Sequence, residues 1–259
     1  MADDFPQGSV WLVGAGPGDV ELLTLKAARL IARAEIVFYD ALVGPDVLAL
    51  AGDAELVPVG KRSGRHSKDQ GSINSLLVAA ALAGQRVVRL KGGDPAMFAR
   101  TAEEVEALAG VGVTVRICPG VTTASAAVAA AGTSLSLRGL ARRVQFVTAH
   151  ARAGEMLDLD WQALADAQST LAFYMGRSAA RQISERLIAA GLSGATPVLV
   201  ACDVSLPGEQ YLQTRLDLLP LAVRAIADGR PTLILVGEAV AQAPRVLAQA
   251  AAEVNVAAQ

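Results

Sequence analysis

The sequence predicts an α/β protein, and three observations carry that reading. Short β-rich runs alternate with helical segments along the chain. The first run leads into a glycine loop, Gly14-Ala-Gly-Pro-Gly-Asp19, which opens a helical pattern. The composition, 53% hydrophobic and 19% charged over 259 residues, supports a substantial core. That length suits one large domain or two smaller ones.

The β-rich runs are residues 10–13, 36–39, 87–90, 115–118, 144–148, 171–174, 198–201 and 233–236. In the first helical stretch Leu22, Leu23, Leu25, Leu30 and Ile31 fall on one side. Lys26, Arg29 and Arg33 fall on the other, which describes an amphipathic helix. Residues 73–82, 103–108, 183–190 and 216–226 read likewise. Composition shifts over 124–143, where ASAAVAAAG gives way to the basic SLSLRGLARR. Small residues there fit either a domain junction or an Ala-rich buried helix. We place the junction there, giving expected domains 8–137 and 138–245.

The bulk numbers exclude several classes. A net charge of −2 gives no argument for nucleic-acid binding. The start, MADDFPQG, is too short and too acidic for a secretion signal. No apolar run reaches the roughly 18 residues of a membrane span. The reading is a soluble, cytoplasmic protein. Cys118 and Cys202 lie far apart, within or beside apolar runs, and read as reduced core thiols. His66 and His150 are the only histidines, so no metal site is expected.

Four stretches are candidates for chemistry. The glycine loop fails the dinucleotide fingerprint, because the sixth position is Asp19 and its carboxylate would repel phosphate. It also lacks the Gly-Lys-Ser/Thr ending of a P-loop. Either it makes only a tight turn, or it holds something without phosphate. Asp40 ends an apolar run in YDALV, where α/β folds bind ligands, and reads as ligand contact or turn residue. Lys61, Arg62, Arg65, His66 and Lys68 crowd the loop VGKRSGRHSKDQ, which suits an anionic ligand or a solvated loop. In VVRLKGGDPAMFAR, Gly92 and Gly93 allow close approach to the backbone. Asp94 there can cap the next helix or accept a ligand's hydrogen bonds.

Taken together these stretches resemble the S-adenosylmethionine-dependent uroporphyrinogen-III C-methyltransferases of the tetrapyrrole methylase superfamily. VGAGPGDVELLTLKA, YDALV, VGKRSGRHS, RLKGGDP, PGVTTA, VTAH, FYMG and PTLILVGEAV follow in family order over about residues 9–240. The resemblance implies the two-domain tetrapyrrole methylase fold, with the cofactor cleft between the domains, and a homodimer. It implies two methyl transfers from S-adenosyl-L-methionine to uroporphyrinogen III, giving precorrin-2 and S-adenosyl-L-homocysteine. The product would feed cobalamin or sirohaem biosynthesis. Oxidation and metal-insertion steps would then belong to other proteins. A related methylase of later corrin precursors, and a non-catalytic cofactor-binding protein, are the alternatives.

By matched position, the resemblance makes Asp40 a proton acceptor and Lys61 a proton donor. It assigns cofactor contacts to Pro17, Gly92, Gly93, Asp94, Met97, Thr122, Thr123, Met175, Val204 and Thr232. Without it, Met97 and Met175 read as core residues. Arg62, Arg65, Arg100 and Arg138 become candidates for substrate carboxylates. No role follows for His150. The chain departs from the family's FGRGGEE at Ala99, Thr101 and Ala102, from IPLTHR at residues 133–138, and from TGH at Ala149.

Overall fold

A computed structural model describes residues 4–60, 69–150 and 157–242. The chain forms two compact units that divide between Thr122 and Thr123.

The first unit runs β1 (Val10–Gly14), α1 (Leu25–Ala32), β2 (Ile36–Tyr39), α2 (Pro45–Ala49), β3 (Glu55–Pro58), α3 (Gln70–Leu82), β4 (Val87–Lys91), α4 (Thr101–Ala109) and β5 (Val115–Cys118). Its strands form one parallel sheet in the order β3-β2-β4-β1-β5. A parallel sheet needs crossovers that cover both faces. β1 and β4 are accordingly buried at every residue. Trp11, Val13, Val88 and Leu90 pack with Ala27, Leu30 and Ile31 of α1 on one face. Leu12, Phe38 and Val87 pack with Ile73, Leu77 and Leu108 of α3 and α4 on the other.

α1 is shorter than its apolar pattern suggests. Thr24 caps it by accepting the Ala27 N–H at 3.0 Å, and residues Val20–Leu22 form a separate 3-10 turn. Leu25, placed by the pattern on the buried side, is 93% exposed. It occupies the first helical position, where the turn below that would shield it is missing.

The second unit runs α5 (Thr123–Ala130), β6 (Arg143–Thr148), α6 (Trp161–Leu164), β7 (Ser169–Tyr174), α7 (Ala180–Ala189), β8 (Pro197–Cys202), β9 (Gln210–Arg215), α8 (Leu219–Ile226) and β10 (Thr232–Val236). The sheet order is β6-β7-β10-β8-β9. It is mixed: β6 and β7 are parallel, whereas β10 runs antiparallel to β7 and β8, and β9 antiparallel to β8. One core joins Leu171 and Phe173 to Ile183, Leu187, Val200, Leu219, Val223 and Ile234.

The division falls earlier than the composition shift suggests. The Ala-rich run is a helix of the second unit, with Ala124, Ala126, Ala127 and Val128 buried. The Ala124 N–H donates to the Tyr174 hydroxyl at 3.2 Å, and the Thr133 hydroxyl to the Ala239 carbonyl at 2.8 Å. These bonds tie residues 123–137 to β7 and to the segment after β10. Residues 216–226 are likewise not one helix: the 3-10 turn Leu216–Leu218 precedes α8.

Candidate active site

In the first unit the motif residues gather at the carboxyl ends of the parallel strands. There the loops after β1, β4 and β5 nearly touch. A Cβ on Gly14 would lie 2.6 Å from the Gly120 Cα and 2.7 Å from the Gly93 carbonyl oxygen. Gly16 and Gly93 exchange two backbone bonds, Gly93 N–H to Gly16 O at 2.7 Å and the reverse at 3.2 Å. The glycine loop is therefore a clasp of backbone on backbone. Gly93 has φ +69°, and open space surrounds the place its Cβ would fill. Gly93 thus presents bare backbone on which a ligand can lie.

Asp94 pins this cluster. Its Oδ1 accepts the Ala96 N–H at 2.6 Å and its Oδ2 the Gly120 N–H at 3.0 Å. One carboxylate thus shapes its own turn and holds the β5 loop, and each oxygen retains further acceptor capacity.

Asp40 follows β2 and is built into a chain of alternating charges. The Arg89 guanidinium donates to Asp40 Oδ1 at 2.5 Å and, through Nε, to Glu104 Oε1 at 3.0 Å. The Lys91 ammonium donates to Glu104 Oε2 at 2.6 Å. Gln70 adds a bond to Glu104 Oε1 at 3.3 Å. Arg89 and Lys91 point to one face of β4 because they are two residues apart on a strand. Glu104 comes down from α4 between them. Arg89, Lys91 and Glu104 are 4%, 2% and 0% exposed, while Asp40 keeps 31% of its side chain open. Burial pushes the Lys91 ammonium below its ordinary pKa and neighbouring Arg89 adds to this; Glu104 opposes both. Breaking one member of such a buried set costs about 3–5 kcal/mol, because its partner is left charged and dry.

Sequence reading passed over Arg89, Lys91 and the part played by Glu104. A signal was present: VVRLK is an otherwise apolar strand that carries two cations, and buried cations require anions. The partner Glu104 was visible only as a retained acid of the family motif.

The departures from that motif are accommodated locally. The left-handed residues of the segment are Phe98 and Arg100, both at φ +54°, and Ala99, Thr101 and Ala102 are not among them. Replacing glycine at those three positions therefore incurs no left-handed strain. The Thr101 hydroxyl instead donates to the Pro95 carbonyl. Arg100 forms a two-point pair with Glu103, 2.8 Å from Nε and 2.6 Å from an Nη, and is 57% exposed.

The remaining positions separate by unit. Pro17, Gly92, Met97 and Thr122 are half-buried at the same strand ends as Gly93 and Asp94. In the second unit, Met175 follows β7, Val204 follows β8, and Thr232 opens β10 beside Cys202, which ends β8. Antiparallel pairing places all three at one end of that sheet. Met175 is 46% exposed at φ +57°, neither buried nor relaxed as a core methionine would be. Val204 is buried between Asp203 and Ser205, both left-handed at φ +49° and +61°. Such strain gathers at ligand sites. Thr123 opens α5. Arg138 is exposed on the tight turn closed by Leu137 and Ala141. His150 is exposed, its N–H 3.4 Å from the Thr148 hydroxyl. Cys118 and Cys202 are buried free thiols. Lys61, Arg62, Arg65, His66 and Lys68 lie outside the described residues.

The family model for Tetrapyrrole (Corrin/Porphyrin) Methylases matches residues 9–220. The chain belongs to this family. The methylase is 48% identical to siroheme synthase 1 of Yersinia enterocolitica over 236 residues, which is 90% of this chain and 49% of that one. It is 46% identical to siroheme synthase 1 of Aeromonas salmonicida over 92% of this chain and 51% of that one. The methylase thus spans about half the length of these curated relatives. Among solved structures, it is similar to the uroporphyrin-III C-methyl transferase of Thermus thermophilus complexed with S-adenyl homocysteine. The TM-score is 0.76 and the identity 39%, covering 90% and 93% of the two chains. It is also similar to a cobalt precorrin-4 methyltransferase of cobalamin biosynthesis, with TM-score 0.80, identity 30%, and coverage of 90% and 96%. Among the described residues, no helix is long and apolar enough to cross a membrane.

Proposed function

We propose that this methylase transfers methyl groups from S-adenosyl-L-methionine to two ring carbons of uroporphyrinogen III, giving precorrin-2 and S-adenosyl-L-homocysteine. The observation that carries this is the 39% identity to a uroporphyrin-III C-methyl transferase over nearly the full length of both chains. The fold alone does not choose the substrate, because a methylase of another tetrapyrrole superposes slightly better at lower identity.

The residues fit the cofactor. S-adenosyl-L-methionine supplies an electrophilic methyl on a positively charged sulfonium. Bare backbone at Gly93 lets it approach closely, and Asp94 offers remaining acceptor capacity to a cationic, phosphate-free ligand. On the family resemblance, Pro17, Gly92, Met97, Thr122, Thr123, Met175, Val204 and Thr232 would supply the other cofactor contacts. Asp40, partly open to solvent, would accept the proton released when a pyrrole carbon is methylated. Lys61 would donate a proton. Arg62, Arg65 and Arg138 would meet substrate carboxylates, and Arg100 would exchange its surface partner Glu103 for one of them. The proposal extends to a cytoplasmic homodimer, on the family resemblance.

The test offers uroporphyrinogen III and a later corrin precursor separately, with the labelled methyl donor. Transfer to the first alone supports the proposal. Transfer to the second alone assigns the alternative methylase, and transfer to neither leaves a cofactor-binding protein.

A further inference from the structure

The chain Asp40–Arg89–Glu104–Lys91 contains more charge than Asp40 needs to be held. Among the described residues, Arg89 alone hydrogen-bonds the Asp40 carboxylate, at 2.5 Å. Yet Arg89 is itself fixed by the fully buried Glu104, and Glu104 is neutralised a second time by Lys91. A guanidinium on a flexible stem has many rotamers. Holding one Nη on Asp40 requires that the rest of the fork be fixed. Glu104 does this: its Oε1 takes Nε, and the Arg89 Nη1 is taken by the Leu90 carbonyl at 3.0 Å. Only the Nη2 end is directed at Asp40. The Glu104 charge also balances the two β4 cations, so the field at Asp40 is not that of two uncompensated positive charges.

We propose that Glu104 and Arg89 are positioning residues for methyl transfer: Glu104 fixes the Arg89 guanidinium, and Arg89 fixes the Asp40 carboxylate that accepts the proton. This rests on the reading of Asp40 as proton acceptor. Neither residue touches substrate. Glu104→Gln keeps the shape and removes the charge. It lowers kcat at least tenfold while leaving the KM for uroporphyrinogen III and the affinity for S-adenosyl-L-homocysteine within threefold. The loss is shared with Asp40: adding Asp40→Asn to Glu104→Gln lowers kcat no further than Asp40→Asn alone. Arg89→Lys keeps a buried cation but cannot span both carboxylates, and it reproduces the Glu104→Gln loss. Glu104→Asp, which keeps the charge on a shorter stem, recovers part of kcat and replaces Glu104→Gln if that variant does not fold.

A second readout needs no turnover. The nitrogen resonances of the Arg89 guanidinium shift on Asp40→Asn in the wild-type background. They do not respond to Asp40→Asn once Glu104 is Gln, because the contact has been lost. Multiplying kcat losses, wild-type kcat in Glu104→Gln, or an Arg89 response to Asp40→Asn that persists without Glu104 would each overturn the proposal. A wild-type protein that methylates no uroporphyrinogen III overturns the substrate reading instead, and the resonance experiment alone then decides between Glu104 as positioning residue and Glu104 as packing.

Discussion

The Asp94 carboxylate binds the Gly120 N–H at 3.0 Å and so joins the loops that follow two non-adjacent strands, β4 and β5. β1 lies between them, and its own loop is clasped to Gly93. One side chain therefore sets the spacing of three loops at the carboxyl end of the sheet. Asp94→Ala is expected to weaken S-adenosyl-L-homocysteine binding by about 1.5–3 kcal/mol, the worth of a charge-assisted bond. It should lower the thermal midpoint as well. Calorimetry and melting on the same samples separate the roles. A lower midpoint with unchanged affinity leaves Asp94 as a loop staple only.

Gly14→Ala should be more damaging than a typical surface change. Its new methyl would meet backbone of Gly120 and Gly93, neither of which has a side chain that can move aside. A cost of about 1–3 kcal/mol is expected from the forced separation of the loops. Denaturant unfolding of Gly14→Ala beside Gly44→Ala checks this. Gly44 lies at φ −72°, and the nearest atom to an added Cβ is 3.6 Å away, so it reports a glycine-to-alanine change without crowding or left-handed strain. Equal losses would mean that the clasp tolerates a methyl.

The basic run Lys61, Arg62 and Arg65 gives a kinetic prediction. Removing Arg62 or Arg65 should raise the KM for a substrate with many carboxylates and flatten its salt dependence. Lys61→Met should lower kcat in addition. Steady-state kinetics at two salt concentrations decide. Wild-type turnover in Lys61→Met removes the proton-donor role, and wild-type constants in all three remove the substrate role of these residues.

Asp4 fastens the amino-terminal segment. Its carboxylate bonds Arg29 at 2.9 and 2.7 Å and Arg33 at 3.2 Å, and its carbonyl accepts the Trp11 indole N–H at 3.1 Å. The Arg29 bond, with smaller help from Arg33 and Lys26, holds its pKa down to about 2 from 3.8. A depressed carboxylate pKa favours the folded form above the unfolded value. This contribution is complete above about pH 4 and fades as pH falls through about 2. Trp11 emission, followed in a Trp161→Phe background, should change over that window. The same change should be present already at neutral pH in Asp4→Asn. A pH profile unaltered by Asp4→Asn would show that the segment is held by other contacts.

What the sequence disclosed follows apolar content, even at sheet edges: β5 and β6 are edges, yet VRIC and RVQFVT kept an alternating apolar pattern. VWLVG and VVRLK are strands covered on both faces, so their apolar runs were plain. β3 and β9 were not foreseen, and both are sheet edges. ELVP is largely exposed and QYLQTR is mostly polar, because an edge strand has less to bury. Asp40, Gly93 and Asp94 were legible as strand-end and glycine-turn positions, the places where α/β folds bind ligands. Glu104 was not, since its pairing with Arg89 depends on how α4 lies on β4. Nothing local to either segment fixes that. Of the two possibilities left open for the glycine loop, Gly14 and Gly16 do make a tight clasp, and the open space at Gly93 beside it is what the proposed cofactor would use.

The most direct test of the proposed methyl transfer counts methyl groups. The protein is given excess uroporphyrinogen III and S-adenosyl-L-methionine carrying an isotopically labelled methyl. The tetrapyrrole product is then weighed by mass spectrometry. Two labelled methyls are expected on each fully processed product, with one S-adenosyl-L-homocysteine released per methyl. Donor consumed with no label on the tetrapyrrole, or tetrapyrrole recovered unlabelled, would contradict it.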